Sequence, residues 1–301
     1  MPETEQTIYL KKPDLFSFPE CLHFLDRGYD DCLYHIDINR KSVYKALKIG
    51  ADRYLTRVSD HEDELKIEIL LGDTSEEYEQ GIKNYIIDWF DLKRDLKPFY
   101  CKLNNYENLS WMTNRYHGLR LMGIPDLFEA LCWCVTGQQI NLSFAYRLKR
   151  RLVEAYGRSV TYDGKTFYYF PEPEVLFRLE ISAFRKLQFS RRKAEYIIGI
   201  SQQFAEGEMT KKQLGSCENR TEMLKRLLKI RGVGEWTANY VLMKSMGRTD
   251  CVTYGDTGLQ SSVSSLLELN RKPTRKEIER VFAPFKGWES YLNIYLWRSL
   301  G

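Results

Sequence analysis

The sequence predicts an α+β chain, with a small antiparallel β-sheet and helices over residues 1–109 and an all-α region over residues 110–301. Three observations point that way. Period-two alternation of apolar and polar residues, the mark of a half-buried strand, is confined to the first hundred residues. Beyond them, apolar residues recur three and four apart and strand signals thin out. The formal charge of +4 is also split: residues 1–109 carry 15 Lys and Arg against 22 Asp and Glu, and residues 110–301 carry 30 against 19. A basic part joined to an acidic one is common in proteins that face nucleic acid, and about as common in helical domains with solvated basic faces.

Along the chain, Met1 to Lys12 begins with acidic and polar residues and lacks the basic-then-apolar order of a signal peptide. Residues 32–38 alternate partly, Ser42 to Gly50 suits either a strand or a short helix, and Leu65 to Leu70 alternates cleanly before Gly72-Asp73 closes it. Tyr78, Ile82, Tyr85, Ile86 and Trp89 form a helical stripe over residues 76–90. Pro125 opens a helix with Leu127, Leu131 and Cys134 on one face, and Gly137 interrupts it. Ile140, Phe144, Leu148 and Leu152 mark the next, ended by Gly157. Further helices fit residues 173–179, 190–204, 221–229, 235–246, 256–267, 274–282 and 288–297, while Phe167-Tyr168-Tyr169 reads as a loop or packing feature.

Hydrophobic residues make up 43% and charged residues 29%, enough apolar surface for a core and against wholesale disorder. No run approaches the roughly 20 apolar residues of a membrane span. Seven scattered cysteines, at 21, 32, 101, 132, 134, 217 and 251, read as free thiols in a reducing compartment. Cys132 and Cys134 lack further ligands, and His23, His35, His61 and His117 show no metal-ligand spacing. A soluble cytoplasmic protein without metal or cofactor is expected.

One segment carries chemistry. Leu227 to Ile230 closes a helix, Arg231-Gly232-Val233-Gly234 turns, and Glu235-Trp236-Thr237-Ala238-Asn239 starts another, a helix–hairpin–helix over residues 224–246. Gly232 and Gly234 permit positive φ and close backbone approach. The second helix offers its free N–H groups and positive dipole end to an anion such as a phosphate. Taken alone, most such turns merely join two helices. Asp256 follows 22 residues after Gly234, in the turn 252–258 ahead of a helix. It suits a helix N-cap, a catalytic carboxylate, or both.

The hairpin and an aspartate at this distance resemble the helix–hairpin–helix superfamily of DNA base-excision glycosylases. Phe128-Glu129-Ala130-Leu131 with Thr136-Gly137-Gln138-Gln139-Ile140 resembles that superfamily's first core helix and the loop after it. Arg191-Arg192-Lys193-Ala194-Glu195-Tyr196-Ile197 resembles its serine-arginine-lysine-alanine helix start. Trp288-Glu289-Ser290-Tyr291 and Tyr295-Leu296-Trp297-Arg298 resemble the C-terminal helix of the bacterial 3-methyladenine DNA glycosylase II branch. Phe24-Leu25-Asp26-Arg27 and Phe90-Asp91-Leu92-Lys93-Arg94-Asp95-Leu96 extend the likeness, more loosely, to the first part of the chain.

The resemblance implies that Asp256 stabilises an oxocarbenium ion and orients or deprotonates water. It implies a pocket of Trp236, Tyr240, Trp297 and Phe24 for a flipped alkylated purine, phosphate contacts from Gly232, Val233 and Gly234, and Gln139 as the side chain that fills the emptied stack. Ordinary core packing accounts for the aromatics equally simply, and helix capping or plain surface for Gln139. The implied partner is duplex DNA containing damaged bases, met by a monomer in a bacterial cytoplasm, associated with the nucleoid. Superfamily members that also cut the backbone carry a Schiff-base lysine two residues after the last hairpin glycine; Trp236 stands there, which implies a monofunctional enzyme. Cys251 is the last cysteine, so the iron–sulfur loop of some relatives has no ligands. Gly255 and Thr257 replace bulkier residues common around the aspartate and imply a smaller, more open pocket. Two other functions fit the same residues: a bifunctional 8-oxoguanine glycosylase/lyase using Lys229 or Lys244, and a non-catalytic DNA-binding module. The basic runs at Arg147, Lys149, Arg150 and Arg151 and at Arg191 to Lys193 suit phosphate contact or solvated helix faces.

Overall fold

The computed structural model describes residues 6–300 except 27, 30 and 73–75, so Met1 to Glu5, Arg27 and the expected turn residue Asp73 lie outside the described residues. The elements run β1 (Gln6–Lys11), α1 (Phe18–Leu25), β2 (Tyr34–Asp37), β3 (Ser42–Ile49), β4 (Asp52–His61), β5 (Glu64–Leu71), α2 (Glu76–Phe90), α3 (Lys97–Asn104) and α4 (Glu107–Arg115). There follow α5 (Leu127–Gly137), α6 (Leu142–Tyr156), β6 (Ser159–Tyr162), β7 (Lys165–Tyr168), α7 (Pro173–Leu176), α8 (Ile181–Lys186), α9 (Arg191–Ala205) and α10 (Lys211–Gly215). The chain ends with α11 (Arg220–Leu228), α12 (Glu235–Lys244), α13 (Thr257–Leu266), α14 (Arg275–Phe282), a short 3-10 turn at Ala283–Phe285, and α15 (Glu289–Arg298).

This is the expected α+β order: a five-stranded antiparallel sheet, β1-β5-β4-β3-β2, and then helices. The ambiguous stretch from Ser42 is a strand. It lacks alternation because both of its faces are covered, and six successive residues from Ser42 are buried. Tyr44 and Ala46 pack with Leu55, Leu70, Phe167 and Tyr169, whereas Tyr54 on the opposite face meets Tyr78 of α2 at 5.9 Å between ring centroids. The covering residues are Phe167 of β7 and Tyr169 just after it, and β7 is an element that the period-based reading leaves out. β6 and β7 form a second, two-stranded sheet inside the helical part, joined through Asp163 and Gly164 at φ 49° and 71°.

The chain forms two compact units, each assembled from three stretches. One comprises Met1–Lys12, Gly28–Ile87 and Leu131–Thr210, and the other Pro13–Arg27, Asp88–Ala130 and Lys211–Gly301. In the second unit α15 is buried along nearly its whole length. Phe99 anchors it, with ring centroids 5.5 Å from Tyr291 and 5.0 Å from Tyr295. The Tyr291 hydroxyl donates to Asp91 Oδ2. No helix among the described residues is long and apolar enough to cross a membrane. All seven cysteines are free thiols.

Candidate functional site

The hairpin is built from α11 and α12. Asn219 caps α11 by accepting from Glu222 N at 3.0 Å. After Leu228 the chain turns with Ile230 and Val233 buried and a Val233 N to Ile230 O bond of 3.0 Å. Gly232 takes φ 91°, the left-handed region that favours glycine. Gly234 does not share that need: as the N-cap of α12 it is extended, at φ −98° and ψ −178°, and a Cβ there would meet nothing within 4 Å. Of the two glycines that permit positive φ, only Gly232 adopts it. The N-cap of α12, Gly234, has no side chain to cap the helix.

The aspartate turn is held from behind by α15. Thr253 donates from its backbone N and its hydroxyl to Asn293 Oδ1, at 3.2 and 2.8 Å. Ser290 Oγ exchanges bonds of 3.2 Å with the backbone N and O of Cys251. Gly255, at φ 87°, reverses the chain, and Asp256 becomes the N-cap of α13.

Asp256 is half-buried and accepts three hydrogen bonds. Oδ1 takes Leu259 N and Trp297 Nε1, both at 2.8 Å, and Oδ2 takes Trp236 Nε1 at 3.2 Å. Capping and the two indole bonds therefore coexist on one carboxylate. Oδ1 has its two acceptor positions filled, whereas Oδ2 has one indole donor and room for another partner. Gly258 makes the arrangement possible, since a Cβ there would lie 3.1 Å from Asp256 Oδ1 and 3.2 Å from Trp297 Cδ1.

Three rings line the carboxylate. Tyr240 lies one turn beyond Trp236 on α12, with centroids 5.8 Å apart, and 6.0 Å from Trp297 on α15. All three are half-buried, so the wall they form is open on one side. Phe24, on α1, is fully packed at 5% exposure, and Lys244 Nζ stands over its ring at 5.3 Å from the centroid. The Lys244 ammonium also donates to Met122 O, and Lys229 is exposed at the C-cap of α11. Gln139 belongs to the other compact unit, where it is exposed at φ 57° between α5 and α6.

A contact absent from the expected set ties the hairpin to the aspartate turn. Arg275 of α14 bonds both carboxylate oxygens of Glu235, at 2.9 and 3.0 Å, and its guanidinium sits 4.2 Å from the Tyr254 ring centroid. Bonding to Arg275 holds the Glu235 carboxyl below its ordinary range, so α12 begins with an ionised carboxylate paired to a guanidinium. No run of sequence announces this contact, because Arg275 lies 40 residues from Glu235. Among the described residues, no group of three or more His, Cys, Asp or Glu side chains is placed to hold a metal.

Comparison with known proteins places the family and the fold. The model of the HhH-GPD superfamily base excision DNA repair protein matches residues 132–286, and that of the 8-oxoguanine DNA glycosylase N-terminal domain matches residues 30–131. A DNA-3-methyladenine glycosylase of Bacillus subtilis (strain 168) is 40% identical over 99% of this chain and 98% of its own. A 3-methyladenine DNA glycosylase structure from Archaeoglobus fulgidus superposes with a TM-score of 0.84 at 19% identity, covering 96% of this chain and 97% of that one. An 8-oxoguanine glycosylase/lyase from Clostridium acetobutylicum gives 0.75 at 19%, over 98% of this chain and 96% of that one, and both structures share the fold. The chain belongs to the HhH-GPD superfamily of base excision DNA repair proteins.

Proposed function

We propose that this protein is a monofunctional DNA glycosylase that removes alkylated purines, of the 3-methyladenine and 7-methylguanine class, by hydrolysing the bond between base and deoxyribose. The observation that carries the reading is the Asp256 carboxylate, held by two indole N–H groups beside an aromatic wall. The relative of 40% identity, named a DNA-3-methyladenine glycosylase and matched end to end, supports the substrate class.

In this mechanism the hairpin residues Gly232, Val233 and Gly234 and the start of α12 hold a backbone phosphate without reading sequence. The damaged base leaves the duplex, and Gln139 fills the space it vacates. Electron-rich Trp236, Tyr240 and Trp297 stack on the electron-poor alkylated ring, with Phe24 as the packed support of the pocket. The cationic base is already a good leaving group, so the C1′–N bond breaks with its electron pair going to the base. Asp256 Oδ2, the oxygen with acceptor capacity to spare, stabilises the positive charge growing at C1′. Water then bonds to C1′ and gives up its proton toward the same carboxylate. The protein acts as a monomer on duplex DNA and is expected in the cytoplasm with the nucleoid.

The match to the 8-oxoguanine DNA glycosylase N-terminal domain favours one second reading, a bifunctional 8-oxoguanine glycosylase/lyase. An indole stands where such a reaction needs an amine, and Lys244 is engaged with Met122 O and Phe24. The test is chromatography of bases released from dimethyl sulfate-treated duplex DNA, run beside borohydride trapping on 8-oxoguanine duplex. Free 3-methyladenine or 7-methylguanine without a trapped adduct supports the proposal. A trapped adduct supports the second reading.

A further inference from the structure

Gln139 carries a backbone that an ordinary side chain rarely adopts, at φ 57°, on a turn whose tip is exposed. Such a conformation persists only where its surroundings over-determine it. Both ends of this turn are fixed. At the far end Asn141 caps α6, its side chain accepting from Phe144 N at 2.8 Å. At the near end stands the last turn of α5, whose final carbonyls have no partner within the helix. Thr136 is buried at 2% exposure, so its carbonyl needs a partner from the protein.

That partner is Lys193. It lies in the first turn of α9, is itself buried at 9% exposure, and donates from Nζ to Thr136 O at 2.7 Å. Ser190 caps the same helix by accepting from Lys193 N, so the lysine backbone is fixed as well as its ammonium. A cation at a helix C-terminus is favourable for the dipole and for the orphan carbonyl together. Burial pushes the pKa of this ammonium down to about 8. The neighbours Arg191 and Arg192 are exposed, so the basic run divides into two surface cations and one buried tether.

We propose that Lys193 is a positioning residue: through the Thr136 carbonyl it holds the end of α5 so that Gln139 is presented in the geometry that enters the DNA stack. This rests on the reading of Gln139 as the side chain that fills the vacated space. Lys193 itself touches no DNA in this account, and its effect is confined to insertion.

The probe is a duplex with a tetrahydrofuran abasic analogue and 2-aminopurine in the opposite position. Binding is followed by anisotropy and insertion by the rise in 2-aminopurine fluorescence at saturating protein. Wild type is expected to give the rise. Lys193→Met and Gln139→Ala are each expected to lose most of it, Lys193→Arg to retain it, and the Lys193→Met/Gln139→Ala double variant to lose no more than either alone. Reading the amplitude at saturation counts only protein that has folded and bound. A full rise with Lys193→Met overturns the proposal, as does a loss that adds to that of Gln139→Ala. A full rise with Gln139→Ala overturns the gap-filling reading and the proposal with it.

Discussion

Trp297 Nε1 donates to Asp256 Oδ1 at 2.8 Å, through a space that a glycine at 258 keeps open. The two residues are 41 positions apart and sit at the end of α15 and the start of α13. The same oxygen closes the first turn of α13 through Leu259 N. The carboxylate is therefore fixed by the helix it caps and by an indole, which leaves Oδ2 as the oxygen that faces C1′ in the proposed mechanism.

Replacing Trp297 by Phe keeps an aromatic surface and removes the N–H. A hydrogen bond to a charged group is worth about 1.5–3 kcal/mol, so the single-turnover rate of base release should fall roughly ten- to a hundredfold. Affinity for an abasic-site duplex should change little, since the lost interaction orients the carboxylate and does not grip the backbone.

Gly258→Ala separates activity from stability. The new methyl would press on Asp256 Oδ1 and Trp297 Cδ1, so base release should fall. The residue lies within α13, where alanine is favoured over glycine by about 0.5–1 kcal/mol, so Tm should hold or rise. Loss of Tm together with activity would assign Gly258 a purely structural role.

The proposed mechanism gives Trp236 two tasks that two substitutions pull apart. Trp236→Phe removes the donor to Asp256 Oδ2 and keeps a stacking face, whereas Trp236→Ala removes both. Alanine should cost more on cationic methylated purines than phenylalanine does, by about 0.5–2 kcal/mol of stacking, read as the ratio of kcat/KM values.

Acid stability has a local origin in the sheet. Arg57 bonds both oxygens of Glu68, at 2.6 and 2.7 Å, and with Lys66 holds its carboxyl down at about 2 from an ordinary 4.5. The folded value is the depressed one, so this stabilisation is present above pH 4.5 and is lost as pH falls toward 2. Glu68→Gln should flatten that part of the stability profile, measured by denaturant melts across the range.

The parts of the fold and site that are legible in the sequence are those with local signatures. The hairpin glycines, the carboxylate 22 residues on, and two aromatics one turn apart on α12 all declare themselves within short windows. The ambiguous strand β3 shows where periodicity stops working: covered on both faces, it keeps no polar side to alternate with. The β6–β7 hairpin did carry a signal, since Asp163-Gly164 between two short β-branched and aromatic runs is a strong two-residue turn. It lies between two helices, in a stretch where only Phe167 to Tyr169 are read, as a loop or packing feature. The gap at Gly258, the Arg275 clamp on Glu235 and Tyr254, and the Lys193 bond to Thr136 all join residues far apart in sequence. Only folding brings them together.

The most direct test of the central claim is base release from methylated duplex DNA by wild type beside Asp256→Asn, with binding to a tetrahydrofuran duplex measured on both. The amide oxygen can keep the bonds from Leu259 N and Trp297 Nε1, the amide NH2 no longer accepts from Trp236 Nε1, and no negative charge is left to offer C1′. The account predicts free methylated purine from wild type, a rate lowered by about a hundredfold or more in Asp256→Asn, and similar affinities. Base release by Asp256→Asn at the wild-type rate would contradict it.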